Sequence, residues 1–181
     1  IKNEDILYSV KYLYSSEEIA AVFGNQLGGY YDMWPLRDKT YCKNDFWVEV
    51  FKYLMMNKNS FEQISKKILL DAKKNIIDKK SLSFKKTEEP VPVFSAFGGL
   101  GIYKMKNVLQ NKNKYQGTQN FDVVTKDKKK FNVNYQKCEH VNFNEGIINQ
   151  NKKLYILPQL INQSFQRVNF LPESALKLII K

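Results

Sequence analysis

Apolar residues recur at helical spacing over NEDILYSVKYLYSS (3–16), where Ile6, Leu7, Val10 and Leu13 predict one buried face. Glu4 and Asp5 suit the positive end of that helix. The period then disappears into an unbroken apolar run, EIAAVFGN (18–25), which predicts a buried strand ending at Gly24. Helical spacing returns in NDFWVEVFKYLMMNKNS (44–60), with Asn44 or Asp45 as the N-cap, and in SFEQISKKILLDAKKNIIDKK (60–80). The latter is basic on its outer face and reads as a lid or insertion. Lys79 to Glu89 is charged and aperiodic, which predicts a linker or mobile loop.

The second half alternates in the same way. PVPVFSAFGGLGIYKMK (90–106) reads as buried strand broken by Gly98, Gly99 and Gly101, and FDVVTKDKKKFNVNYQ (121–136) as a hairpin about a KDKK turn. CEHVNFNEGIINQN (138–151) turns helical from Glu139, and KLYILPQLIN (153–162) is a strand. Helices alternating with strands around one hairpin predict a single α/β domain over 1–181, its sheet mixed but mostly parallel and flanked by helices.

One segment fits no period. GNQLGGYYDMWPLRDKTYC (24–42) puts two tyrosines, a tryptophan, an aspartate and an arginine on a loop. Loops cost entropy to order, so such a concentration of anchors points to a ligand, with core-plugging aromatics as the competing reading.

Composition narrows the function only slightly. Apolar residues at 43% exclude a disordered chain, and a net charge of +11 favours phosphates or polyanions. The lysines are scattered and no nucleic-acid-binding signature accompanies them, so a nucleic-acid partner is not expected. No apolar run reaches membrane-spanning length and no signal-peptide core is present, which points to a cytoplasmic protein. Cys42 and Cys138 match no metal or redox spacing; two free thiols are expected ahead of a single disulfide.

Two further stretches carry candidate chemistry. The glycines of FSAFGGLGIYK allow close backbone approach by a ligand, or simply a β-bulge; their spacing is not that of a dinucleotide fingerprint. CEHV places the lone histidine, His140, next to Glu139 at a helix start. A carboxylate there suits a general base, while a single histidine is more often structural than catalytic. No serine or cysteine sits in a nucleophile elbow.

Taken together, YYDMWPLRD, FGGLGIYK and CEHV followed by LYILPQLIN resemble, in order and rough spacing, the capsule-associated mannosyltransferase family and its bacterial and viral relatives. Those proteins are similar to GT-A nucleotide-sugar glycosyltransferases. The resemblance runs from about Ile6 to Asn162 and is most specific over Tyr31 to Asp38. It implies a GT-A-like fold with the 24–42 loop between donor sugar and acceptor. Tyr30, Tyr31 and Trp34 would offer flat faces to a sugar, and Asp32 and Arg37 directed hydrogen bonds. Gly98 and Gly99 would allow close substrate approach, and Arg37 or Lys104 would hold the donor diphosphate. Glu139 would deprotonate the acceptor hydroxyl, and His140 would join the shell of a divalent cation, Mn²⁺ or Mg²⁺. The implied partners are a nucleotide-sugar donor and a glycan or lipid-linked glycan acceptor.

The chain departs from that class in lacking an Asp-x-Asp motif, and it opens on Ile1. The corresponding expectation is that the N-terminal nucleotide-binding strands are missing, leaving this piece inactive and apolar side chains near Val22 and Phe23 uncovered. A non-catalytic carbohydrate-binding or assembly module that retains the acceptor cleft is the alternative.

Overall fold

The computed structural model describes residues 1–26, 29–30, 32–56, 64–77 and 82–162. Helix α1 (Asn3–Tyr14) leads into strand β1 (Ile19–Gln26), followed by helices α2 (Phe46–Met56) and α3 (Lys66–Ile76). The short strands β2 (Val91–Val93) and β3 (Gly101–Tyr103) precede helix α4 (Met105–Leu109). The hairpin strands β4 (Thr118–Val124) and β5 (Lys130–Gln136), helix α5 (Glu139–Ile148) and strand β6 (Lys153–Asn162) complete the order.

The main sheet runs β2-β6-β1-β3, and β4 and β5 form a separate two-stranded sheet. The domain is therefore mixed α/β, but the expected predominance of parallel pairing is not found. Among the described residues only β1 and β6 pair in parallel; β1–β3, β2–β6 and β4–β5 are antiparallel. Nor is β1 an uncovered edge. It lies between β6 and β3, and Val22 and Phe23 are both 0% exposed. Phe23 faces the large core with Tyr103 edge-on at 5.7 Å, while Val22 joins Leu13, Ile19, Leu157 and Leu160 beneath α1.

Helix α1 does not bury the stripe its apolar residues suggest. Leu7 and Val10 are exposed, whereas Asp5, Ser9 and Leu13, spaced by four, face inward. The polar members of that stripe are satisfied locally: Ser9 Oγ donates to the Asp5 carbonyl at 2.7 Å, and Lys86 Nζ reaches the Asp5 carboxylate at 3.3 Å. Helix α2 is apolar on most of its faces because it is sandwiched; Phe51 meets Tyr135 of the hairpin edge-on at 5.8 Å. Helix α3 is capped by Ser65 Oγ and contributes Leu69 and Ala72 to the same core, so it is an integral layer and not a lid. Of the expected 79–89 linker, residues 79–81 lie outside the described residues. The remainder is irregular but anchored, since the Leu82 carbonyl accepts from Tyr30 N at 2.7 Å and the Phe84 carbonyl from Asn25 Nδ2 at 2.9 Å.

Candidate functional site

The C-terminal end of the β1–β6 parallel pair is shaped by the turn between β2 and β3. Gly98 and Gly99 take φ of +62° and +76°, in the left-handed region that side chains with a Cβ avoid. Space makes the same demand. A Cβ on Gly98 would strike the Gly24 carbonyl, and one on Gly99 the Asn162 amide. Asn162 Nδ2 donates to the Gly98 carbonyl at 3.2 Å, tying the turn to the end of β6.

Asp32 is fixed on this turn. Its Oδ2 accepts from Gly98 N at 3.0 Å, and its own N–H donates to Gln26 Oε1 at 3.3 Å. Burial pushes its carboxyl up to about 6; the N–H groups of Gly98 and Gly99 pull against that rise, and the charge of Glu139 adds to it. Two carboxylates are thus close enough to sense one another, one packed in and one, Glu139, at the solvent-facing start of α5.

An aromatic wall stands beside them. The His140 ring stacks on Phe97 at 4.2 Å and 15°, Tyr115 meets His140 edge-on at 5.5 Å, and Tyr115 stacks on Phe143 at 4.7 Å. Three asparagines hold the 111–115 segment across α5: Asn111 donates to the Phe143 carbonyl, Asn113 to the Asn142 carbonyl, and Asn142 to the Lys114 carbonyl. Gly146 permits this crossing, because a Cβ there would collide with the Asn111 side chain. Burial lowers the His140 pKa from its ordinary value, with Glu139 opposing, so the ring is neutral at pH 7. Its Nε2 lies 3.8 Å from Glu139 Oε1 and its Nδ1 3.5 Å from the Tyr115 hydroxyl.

The other sequence-predicted residues are distributed unevenly. Tyr30 is buried: its hydroxyl accepts from Phe97 N at 3.4 Å and its ring packs edge-on against Phe84, so it braces the wall from behind. Trp34 is partly buried against the core, and its carbonyl accepts from Arg37. Arg37 is 8% exposed, with Nη2 2.6 Å from Asp45 and Nη1 on the Trp34 and Leu36 carbonyls. Both guanidinium amino groups are thus engaged inside the protein. Lys104 sits at the opposite end of the sheet, its N–H on the Ala20 carbonyl and its Nζ on the Ser16 carbonyl at 2.7 Å. From Ala20 to Gly24 is about 13 Å of strand. Tyr31 lies outside the described residues.

Asp32, Gly98, Gly99, Glu139 and His140 are therefore brought together, with Tyr30 behind them. Arg37 is adjacent but enclosed, and Lys104 is remote. Phe97 and Tyr115 belong to the wall and were not foreseen; Phe97 was signalled only by adjoining the glycines, and Tyr115 lies in a polar stretch without periodicity. The thiols of Cys42 and Cys138 are free and buried, each pushed up to about 12 by desolvation, which keeps them protonated and poor nucleophiles.

Among the described residues, no three of His, Cys, Asp and Glu converge so as to hold a metal ion. Glu139 and His140 are neighbouring donors; a Mn²⁺ or Mg²⁺ held by them would take the rest of its shell from water and substrate phosphate. Among those residues, too, no helix is long and apolar enough to cross a membrane. Comparison with known protein families, with curated proteins and with solved structures finds no match.

Proposed function

We propose that the chain is a GT-A-like glycosyltransferase domain, transferring a sugar from a nucleotide-diphosphate donor to a glycan hydroxyl. The observation that carries this reading is the convergence of Asp32 and Glu139 beside a wall of stacked rings at the C-terminal end of the parallel strands. Ligand sites of α/β sheets lie at that end. Sugars present apolar C–H faces and directed hydroxyls, and rings beside carboxylates match both.

In this reading Asp32, immobilised by the Gly98 N–H, positions a sugar hydroxyl against the wall of Phe97, His140 and Tyr115. Glu139 takes the proton of the acceptor hydroxyl as its oxygen bonds to the anomeric carbon. The bond from that carbon to the diphosphate breaks, and the nucleoside diphosphate leaves with the electron pair.

The test is release of nucleoside diphosphate from a panel of nucleotide sugars in the presence of glycan acceptors. General-base catalysis contributes roughly 10²–10⁴-fold, so Glu139→Gln lowers kcat by about that factor with little change in KM. Phe97→Ala raises KM for the acceptor. Normal turnover in Glu139→Gln removes the carboxylate from the mechanism, and glycan binding without any turnover by the wild type would assign the site to a binding module.

A further inference from the structure

A second cleft, of about 470 Å³, opens at the β2 edge of the sheet and is not used by the proposed reaction. Its floor is Val91, Val93 and Leu154, and Tyr41 and Phe94 stand at its mouth, 47% and 43% exposed. Half-exposed rings over an aliphatic floor of this size form a site for an apolar group.

The rim is cationic. Lys39, Lys152 and Lys153 line it, with Asp38 as its acid. The Asp38 carboxylate is occupied by the N–H groups of Thr40, Tyr41 and Cys42 at 2.6, 2.7 and 3.1 Å, which fold the loop that presents Lys39 and Tyr41. Lys153 pairs with Glu18, and Lys152 donates to the Glu17 carbonyl at 2.9 Å. Lys39 is exposed and makes no ion pair among the described residues.

The backbone rules out a strand as the occupant. Beta2 has three residues, Pro92 removes one donor, and the N–H groups of Phe94 and Ser95 both donate to the Arg37 carbonyl. What remains is an aliphatic floor, two rings and an uncommitted ammonium group. The geometry points to a binding site for a small amphipathic phosphate, its apolar body on Val91, Val93 and Phe94 and its phosphate at Lys39.

Phe94 lies three residues before Phe97, so at most about 11 Å of chain separates this cleft from the aromatic wall. On the glycosyltransferase reading, such a ligand is the lipid-phosphate end of an acceptor. Binding itself does not depend on that reading.

The experiment is calorimetric titration of the chain with decyl phosphate below its aggregation concentration, alongside decanol and inorganic phosphate. Decyl phosphate binds at one site, and both controls bind at least tenfold more weakly. Lys39→Glu and Phe94→Ala, both at exposed positions, each weaken it at least tenfold while leaving the melting temperature unchanged. Farnesyl phosphate and naphthyl phosphate then separate a lipid source from a soluble aromatic one, and saturable binding of either supports the site. Equal affinity for decanol, or variants that bind as the wild type does, overturns the proposal whether or not the chain transfers sugar.

Discussion

The buried Arg37–Asp45 pair offers the sharpest quantitative test, because it decides whether Arg37 serves the fold or is available to a phosphate. Side-chain exposure is 10% for Arg37 and 5% for Asp45, with 2.6 Å between Nη2 and Oδ2. Asp45 also caps α2, its Oδ1 accepting from Trp47 N at 2.9 Å and Val48 N at 3.3 Å. Asp45→Asn retains an acceptor for both cap bonds but leaves the guanidinium without its counter-charge. An unpaired buried charge costs about 3–5 kcal/mol. For a chain of this length each kcal/mol shifts the melting temperature by about 2–4 °C, so the variant should melt about 6–20 °C lower. Asp45→Ala loses the cap as well, for about 1 kcal/mol more. The assay is thermal unfolding followed by circular dichroism, at low and high salt. Because both partners are enclosed, the loss should barely change between 0.05 and 0.5 M NaCl, unlike that of a surface pair. Asp45→Asn melting at the wild-type temperature would refute the reasoning.

Gly98→Ala forces a Cβ into the left-handed region and against the Gly24 carbonyl; the conformation alone costs about 1–2 kcal/mol, and a lowered denaturation midpoint in urea checks it. Asp32 has a folded-state pKa raised to about 6, so its charged form is penalised in the folded protein above that pH. Its contribution favours the fold below its ordinary value of 3.8 and is lost as pH rises through about 6; Asp32→Asn should flatten the stability profile between those limits, and an unaltered profile would contradict the assignment. His140 is held neutral by burial, so its ring protons should titrate in NMR with a midpoint below the ordinary 6.5, and a midpoint above that value would mean that Glu139 outweighs burial.

Much of the fold was legible because it follows from local period. The apolar run at β1, the hairpin alternation in β4 and β5, and the onset of α5 at Glu139 each lie where the sequence pattern places them. The pairing of Asp32 with Gly98 was half legible. Two left-handed glycines announce a tight turn, but nothing local says which carboxylate will rest on its N–H groups.

What the sequence determined by itself was therefore the kind and extent of most elements and the presence of aromatic and acidic chemistry in the 24–42 and 138–140 segments. The tertiary structure alone decided which of those residues meet. Strand polarity is the clearest case. The residues of β3, Gly-Ile-Tyr, would read the same whether the strand ran parallel or antiparallel to β1, yet the antiparallel choice carries Lys104 to Ala20, away from Asp32. Arg37 is another, since its guanidinium is claimed by a helix cap eight residues onward that only the packing of α2 brings within reach. In α1, Asp5, Ser9 and Leu13 go inward with Ile6, Tyr8 and Tyr12 packed beside them against the small cluster, which turns Leu7 outward. Periodicity records how a segment repeats along its own axis. Which face, which direction and which partner are properties of the neighbours it packs against.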